Sequence, residues 1–142
     1  MSRADRFTEI STFNNNQDLF SDFLADFSIH PEKNDLVRSV NENAVKRSIR
    51  NLLLTNKYER FFAPSIGSDI NKLLFENISS SVSYALKDRI TNTIKMYEPR
   101  CRLIDVNVQA VEEQNGYYID IQFVTINTTT PVLMQIKLNR IR

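Results

Sequence analysis

The alternation of apolar and polar residues along the chain changes character at Lys95-Met96-Tyr97-Glu98-Pro99-Arg100. Ahead of this stretch, Val82, Leu86, Ile90, Ile94 and Tyr97, with Ala85 beside them, recur close to four apart and predict a long helix. Ser79-Ser80-Ser81 supplies its cap. Pro99 has no backbone donor and pushes its predecessor toward extended geometry, so the helix is expected to stop at about Tyr97 or Glu98. The carboxylate and guanidinium flanking the proline form a pair that either closes on itself or meets a partner.

Beyond the corner the period falls from about 3.6 to 2. Ile104, Val106, Val108 and Ala110 are expected on one strand face, with Asp105, Asn107 and Gln109 on the other. Gln114-Asn115-Gly116 contains the Asn-Gly pair favoured in type I′ hairpins. Tyr117, Ile119, Ile121, Phe123 and Thr125 then face inward while Tyr118, Asp120 and Gln122 face outward. After a looser turn at Asn127 to Pro131, Val132, Met134, Ile136 and Leu138 alternate with Gln135, Lys137 and Asn139. The pattern predicts a three-stranded antiparallel meander whose last strand has an uncovered outer edge. Such an edge is either blunted, here by Lys137, Arg140 and Arg142, or used to dock another chain's strand.

The first half of the chain reads as mixed and mostly helical. Residues 1–17 look like an arm that orders against something else. Leu19, Phe20, Phe23, Leu24 and Phe27 fit a helical turn or a short irregular strand, and the aromatics are expected to anchor it to the core. His30 to Asp35 is a turn cluster, followed by a brief strand at Leu36 to Val40. Asn41 and Asn43 offer caps for a helix from about Ala44 to Leu54, with Val45, Ile49, Leu52 and Leu53 on one side and Lys46, Arg47 and Arg50 on the other. The loop carrying Phe61 and Phe62 is expected to fold back over the core. Ser68 or Asp69 caps a short helix through Ile70, Leu73, Leu74 and Phe75 that ends near Asn77. The expected fold class is α+β, a small C-terminal antiparallel β-meander packed with two main helices and one short helix.

Composition narrows the chemistry. The 142 residues are the size of one domain, here expected over 18–142. Eighteen Lys and Arg against 17 Asp and Glu give a net charge of +1, which argues against a general nucleic-acid binder. There is no apolar run of about 18 residues, so no membrane is expected, and a cytoplasm or a particle assembled there is the predicted setting. Cys101 is the single cysteine and His30 the single histidine, which leaves little for a metal cage. Two glycines remove every glycine-rich phosphate cradle. No cofactor is expected. A glycoside hydrolase would need two converging carboxylates from Glu76, Glu98, Glu112, Glu113 and Asp120, and Glu98 beside Arg100 would be held ionised, the wrong state for a general acid. Cys101 reads as a small core residue and His30 as a turn residue.

One set of residues carries a resemblance. It comprises Ala44 to Leu53 with Thr55, Glu59-Arg60, Phe62 to Gly67, Leu74 to Asn77, and Tyr97-Glu98-Pro99-Arg100 before alternating strands. In that order and spacing it resembles the baseplate wedge and sheath-initiator family of contractile phage tails, which includes a type VI secretion baseplate subunit. The resemblance runs from about Phe20 onward. It implies a structural protein rather than an enzyme, located in the virion tail baseplate in a six-fold arrangement. Glu98, Pro99 and Arg100 would contact the wedge's core helical bundle. Within docking strands at about 103–141, Val132, Leu133, Met134, Gln135, Ile136, Lys137, Leu138, Asn139, Arg140 and Ile141 would pair with the tail sheath protein by strand augmentation and start the sheath. On this reading, deletion of Val132 to Arg142 leaves a folded protein that enters wedges but starts no sheath. Members often carry a lysozyme-like label, and a peptidoglycan-degrading enzyme is the alternative.

Overall fold

The computed structural model describes residues 18–24, 27–126 and 128–140. The expected arm at 1–17 lies outside the described residues. Two short strands, β1 (Ser21–Phe23) and β2 (Arg38–Val40), pair antiparallel and lead into helix α1 (Asn41–Leu54). A long loop then reaches α2 (Ile70–Leu74) and α3 (Ser80–Tyr97). Strands β3 (Cys101–Val111), β4 (Gly116–Thr125) and β5 (Val132–Asn139) complete the chain as one antiparallel sheet in the order β3-β4-β5. The α+β architecture is the one expected, with α3 packed on the sheet.

The core forms where the two periodicities meet. Val82, Leu86, Ile90 and Ile94 of α3 are buried, as are Ala44, Val45, Ile49, Leu52 and Leu53 of α1. Against them β4 places Tyr117, Ile119, Ile121 and Phe123, and β5 places Val132, Met134, Ile136 and Leu138. Alternate positions of β5 are exposed, so one sheet face packs on helices and the other meets solvent. Since β5 supplies four core side chains, deleting it removes part of the core. The expectation of a folded truncation is therefore corrected.

Local chemistry departs from the expected pattern at several points. Ile104 does not share a face with Val106: Leu103 pairs with Phe123 and Asp105 with Gln122, leaving Ile104 as the extra residue of a bulge, 54% exposed. Ala110 is also exposed. The β3–β4 connection is a 3-10 turn at Glu112–Gln114 closed by Asn115 in the left-handed region (φ 47), not a two-residue type I′ turn. Gly116 is required for a different reason, because a Cβ there would lie 2.7 Å from the Leu138 carbonyl oxygen.

Asn41 does not cap α1 through its side chain. Its Oδ1 accepts from Leu19 N at 3.1 Å and Phe20 N at 3.4 Å, and so holds the segment leading into β1 to the helix. That strand is anchored by Phe20 alone among its aromatics, since Phe23 and Phe27 are more than half exposed. Ser79 caps α3 as expected, accepting from Val82 N at 3.3 Å. Ser68 accepts from Ile70 N at 3.3 Å, and α2 ends at Leu74, short of Asn77.

Phe61 and Phe62 do not fold over the core. They are 98% and 105% exposed on a loop fixed by an internal hydrogen bond, Tyr58 N to the Pro64 carbonyl at 2.8 Å, and by one from α3, Tyr97 Oη to the Ser65 carbonyl at 2.7 Å. Those bonds direct the loop's backbone, and they leave the two rings outside.

Candidate functional site

The corner is made by the end of α3. Glu98 N donates to the Ile94 carbonyl at 2.9 Å, and its backbone (φ −123, ψ 76) leaves the helix as the following proline demands. Two residues on, Arg100 folds back on it. Nε reaches Glu98 Oε1 at 2.8 Å and Nη2 reaches Oε2 at 3.0 Å, a two-pronged pair. Nη1 meets Asp22 Oδ2 of β1 at 3.3 Å, and the guanidinium lies 5.6 Å from the centre of the Phe20 ring. Ser48 of α1 also hydrogen-bonds to Glu98. One side-chain cluster thus ties α1, α3, β1 and the start of β3.

The electrostatics follow from that geometry. Glu98 is 2% exposed, and burial opposes its ionisation, yet the hydrogen bonds from Arg100 and Ser48 and the charge of Arg100 outweigh burial and lower its pKa. The bonds to Glu98 raise the pKa of Arg100 despite desolvation. Of the three corner residues Glu98 is buried, Arg100 is half-buried and Pro99 is exposed. The pair closes on itself, with Asp22 as a third member 78 positions away.

The other hydrolase carboxylates lie apart from it. Glu76 follows α2, Glu112 and Glu113 sit in the hairpin turn, and Asp120 is on the outward side of β4. None of them lines any of four clefts among the described residues, where the acids are Asp18, Asp22 and Asp35. Burial, with the nearby charge of Glu98, pushes the Cys101 thiol up to about 11. His30 closes a turn, its Nδ1 accepting from Glu32 N at 3.2 Å. Among the described residues no helix is long and apolar enough to cross a membrane.

The second feature is the β5 edge. Strand β5 covers Val132 to Asn139 with Arg140 directly after it, and Ile141 lies outside the described residues. Val132, Met134, Ile136 and Leu138 point into the core, while Leu133, Gln135, Lys137 and Asn139 are exposed. Pairing with β4 occupies one edge only. Of the expected gatekeepers, Arg142 lies outside the described residues and the other two are bonded elsewhere: Lys137 lies over the Tyr118 ring at 5.6 Å and bonds Gln114 Oε1 at 2.9 Å, and Arg140 Nη2 donates to Asn77 Oδ1 at 2.7 Å.

A buried charged brace where α3 meets β3, and an open edge on β5 at the other side of the sheet, describe a module whose chemistry lies in its surfaces. Residues 39–130 match the family model described as baseplate wedge protein gp25, and the chain belongs to that family: it is a structural wedge component of a contractile tail baseplate. The baseplate wedge protein gp25 of Enterobacteria phage T4 is 30% identical over 120 residues, covering 84% of this chain and 89% of that protein. A chain of the anti-feeding prophage baseplate, solved with six-fold symmetry, superposes with a TM-score of 0.61 at 21% identity, covering 83% of each chain. A proposed tail lysozyme from Geobacter sulfurreducens superposes at 0.69 with 24% identity, covering 75% of this chain and 96% of that one. At these identities the two structures speak to fold alone.

Proposed function

We propose that this chain joins the baseplate wedge to the tail sheath and initiates sheath assembly by strand exchange. In this reading residues 18–142 form one wedge domain behind an arm at 1–17, with docking strands at about 103–141. The strand over 132–141 accepts or lends pairing to a strand of a sheath subunit. The corner meets the core helical bundle of the wedge through exposed Pro99 and the outward side of Arg100. Glu98, being buried, acts by positioning Arg100. Six copies arranged as in the six-fold baseplate of the related particle would give each wedge one sheath-starting edge. The setting is the virion tail, assembled in the host cytoplasm.

The observation that carries this reading is the free edge of β5, with both described candidate gatekeepers bonded elsewhere. Leu133, 51% exposed on that strand, provides the handle for a test. In a Cys101→Ser background, Leu133→Cys should form a disulfide with a cysteine walked along the terminal segments of the sheath subunit in assembled tails. Tails that assemble normally while Leu133→Cys links to wedge proteins alone would sink the proposal.

A further inference from the structure

A cleft of about 810 Å³ runs beside β5 and touches three consecutive residues, Leu133, Met134 and Gln135. Consecutive strand residues point to opposite faces, so a cleft that meets all three lies along the strand's edge, and β4 already holds the other edge. The opposite wall is basic. Arg38 of β2 and Lys46, Arg47 and Arg50 of α1 line it, and no acidic residue does. Arg38 has Asp35 at 3.6 Å, with both side chains more than half exposed. Among the described residues Lys46, Arg47 and Arg50 have no carboxylate within ion-pair distance. Arg47 Nη1 is buried yet has no hydrogen-bond partner among them.

The two walls ask for different things from one occupant. The β5 edge offers alternate backbone N–H and C=O groups, which an extended polypeptide satisfies. The α1 wall offers uncompensated positive charge, which acidic side chains satisfy. We infer that the groove between β5 and α1 takes an extended acidic segment of another protein chain, added to the sheet as a fourth strand with its carboxylates toward Lys46, Arg47 and Arg50. The inference rests on the strand-exchange reading above and adds to it the chemistry of the incoming strand.

Fluorescence anisotropy with the intact chain tests it, using labelled ten-residue peptides. One alternates valine with glutamate, a second alternates valine with lysine, and a third is the glutamate peptide N-methylated at alternate residues. The glutamate peptide should bind at least about tenfold tighter than the lysine peptide at low salt, and the preference should fade as salt rises. Lys46→Glu with Arg50→Glu should reverse the preference, and N-methylation should abolish binding because it blocks the ladder.

Binding of both charged peptides equally, with sensitivity to N-methylation, would overturn the acidic selectivity while β5 remains a strand-adding edge. Glutamate-peptide binding that ignores N-methylation would mark an anion patch and overturn strand addition in the groove. Binding of neither peptide, or a dimer in sedimentation that the peptides fail to disperse, would also overturn the inference, the latter assigning the groove to a second copy. In each case the Leu133→Cys crosslink decides the strand-exchange reading independently.

Discussion

Arg100→Ala is the perturbation that most sharply separates a brace from a bare contact residue. It removes three charge-assisted contacts at once, two to Glu98 and one to Asp22, and leaves Glu98 2% exposed without its cation. Removing one partner of a buried pair costs about 3–5 kcal/mol, and the Arg100 side chain is 26% exposed, which reduces the figure to roughly 2–4 kcal/mol. For a chain of this length that is a fall in Tm of roughly 6–15 °C. The pH dependence adds a signature. In the native chain Glu98 has a lowered pKa, so its contribution is present above the ordinary value of 4.5 and is lost as pH falls through the folded value. In the variant, burial is the dominant remaining influence, opposed by the bond to Ser48, so the pKa of Glu98 rises. Its contribution is then fullest at low pH and lost as pH increases. Urea unfolding followed by circular dichroism should show the penalty of Arg100→Ala growing between about pH 4 and pH 6. A penalty under about 1 kcal/mol, or one that shrinks as pH rises, would refute the brace.

Three further outcomes follow from the same geometry. Deleting 132–142 should prevent folding, since losing Val132, Met134, Ile136 and Leu138 removes about 8 kcal/mol or more, comparable to a whole domain's stability; a cooperative unfolding transition in the truncated chain would contradict the core assignment. Gly116→Ala should cost about 1–3 kcal/mol in urea unfolding because its Cβ meets a backbone oxygen, and an unchanged midpoint would show that β5 gives way. With its thiol pushed up to about 11, Cys101 should alkylate at pH 8 at least about tenfold more slowly in the folded chain than in urea, and equal rates would refute the burial argument.

Much of the architecture was legible because strong periodicity carries it. The α3 stripe, the stop at Pro99 and the alternation of β4 and β5 all fall where the pattern of residues predicts. What escaped depends on partners distant along the chain. Asp22 and Ser48 join the Glu98–Arg100 pair through tertiary packing, and nothing local marks either. Ile104 continues an unbroken alternation, so the bulge that expels it is visible only in the pairing with β4. Asn41 has the side chain of a cap, but the N–H groups of Leu19 and Phe20, just ahead of β1, compete for its oxygen and win. Apolar character argued for burying Phe61 and Phe62, whereas hydrogen bonding within the loop holds the backbone and leaves both rings in solvent. The basic face of α1 was legible as polar, but the groove it forms with β5 required the fold.

Electron cryomicroscopy of a baseplate carrying its first sheath ring would reveal whether the free edge of β5 starts the sheath, as proposed. The expected result is a fourth strand, contributed by a sheath subunit, hydrogen-bonded along Val132 to Asn139. A baseplate in which that edge is bare or covered by a wedge protein, while the sheath ring is attached elsewhere on the chain, would contradict it.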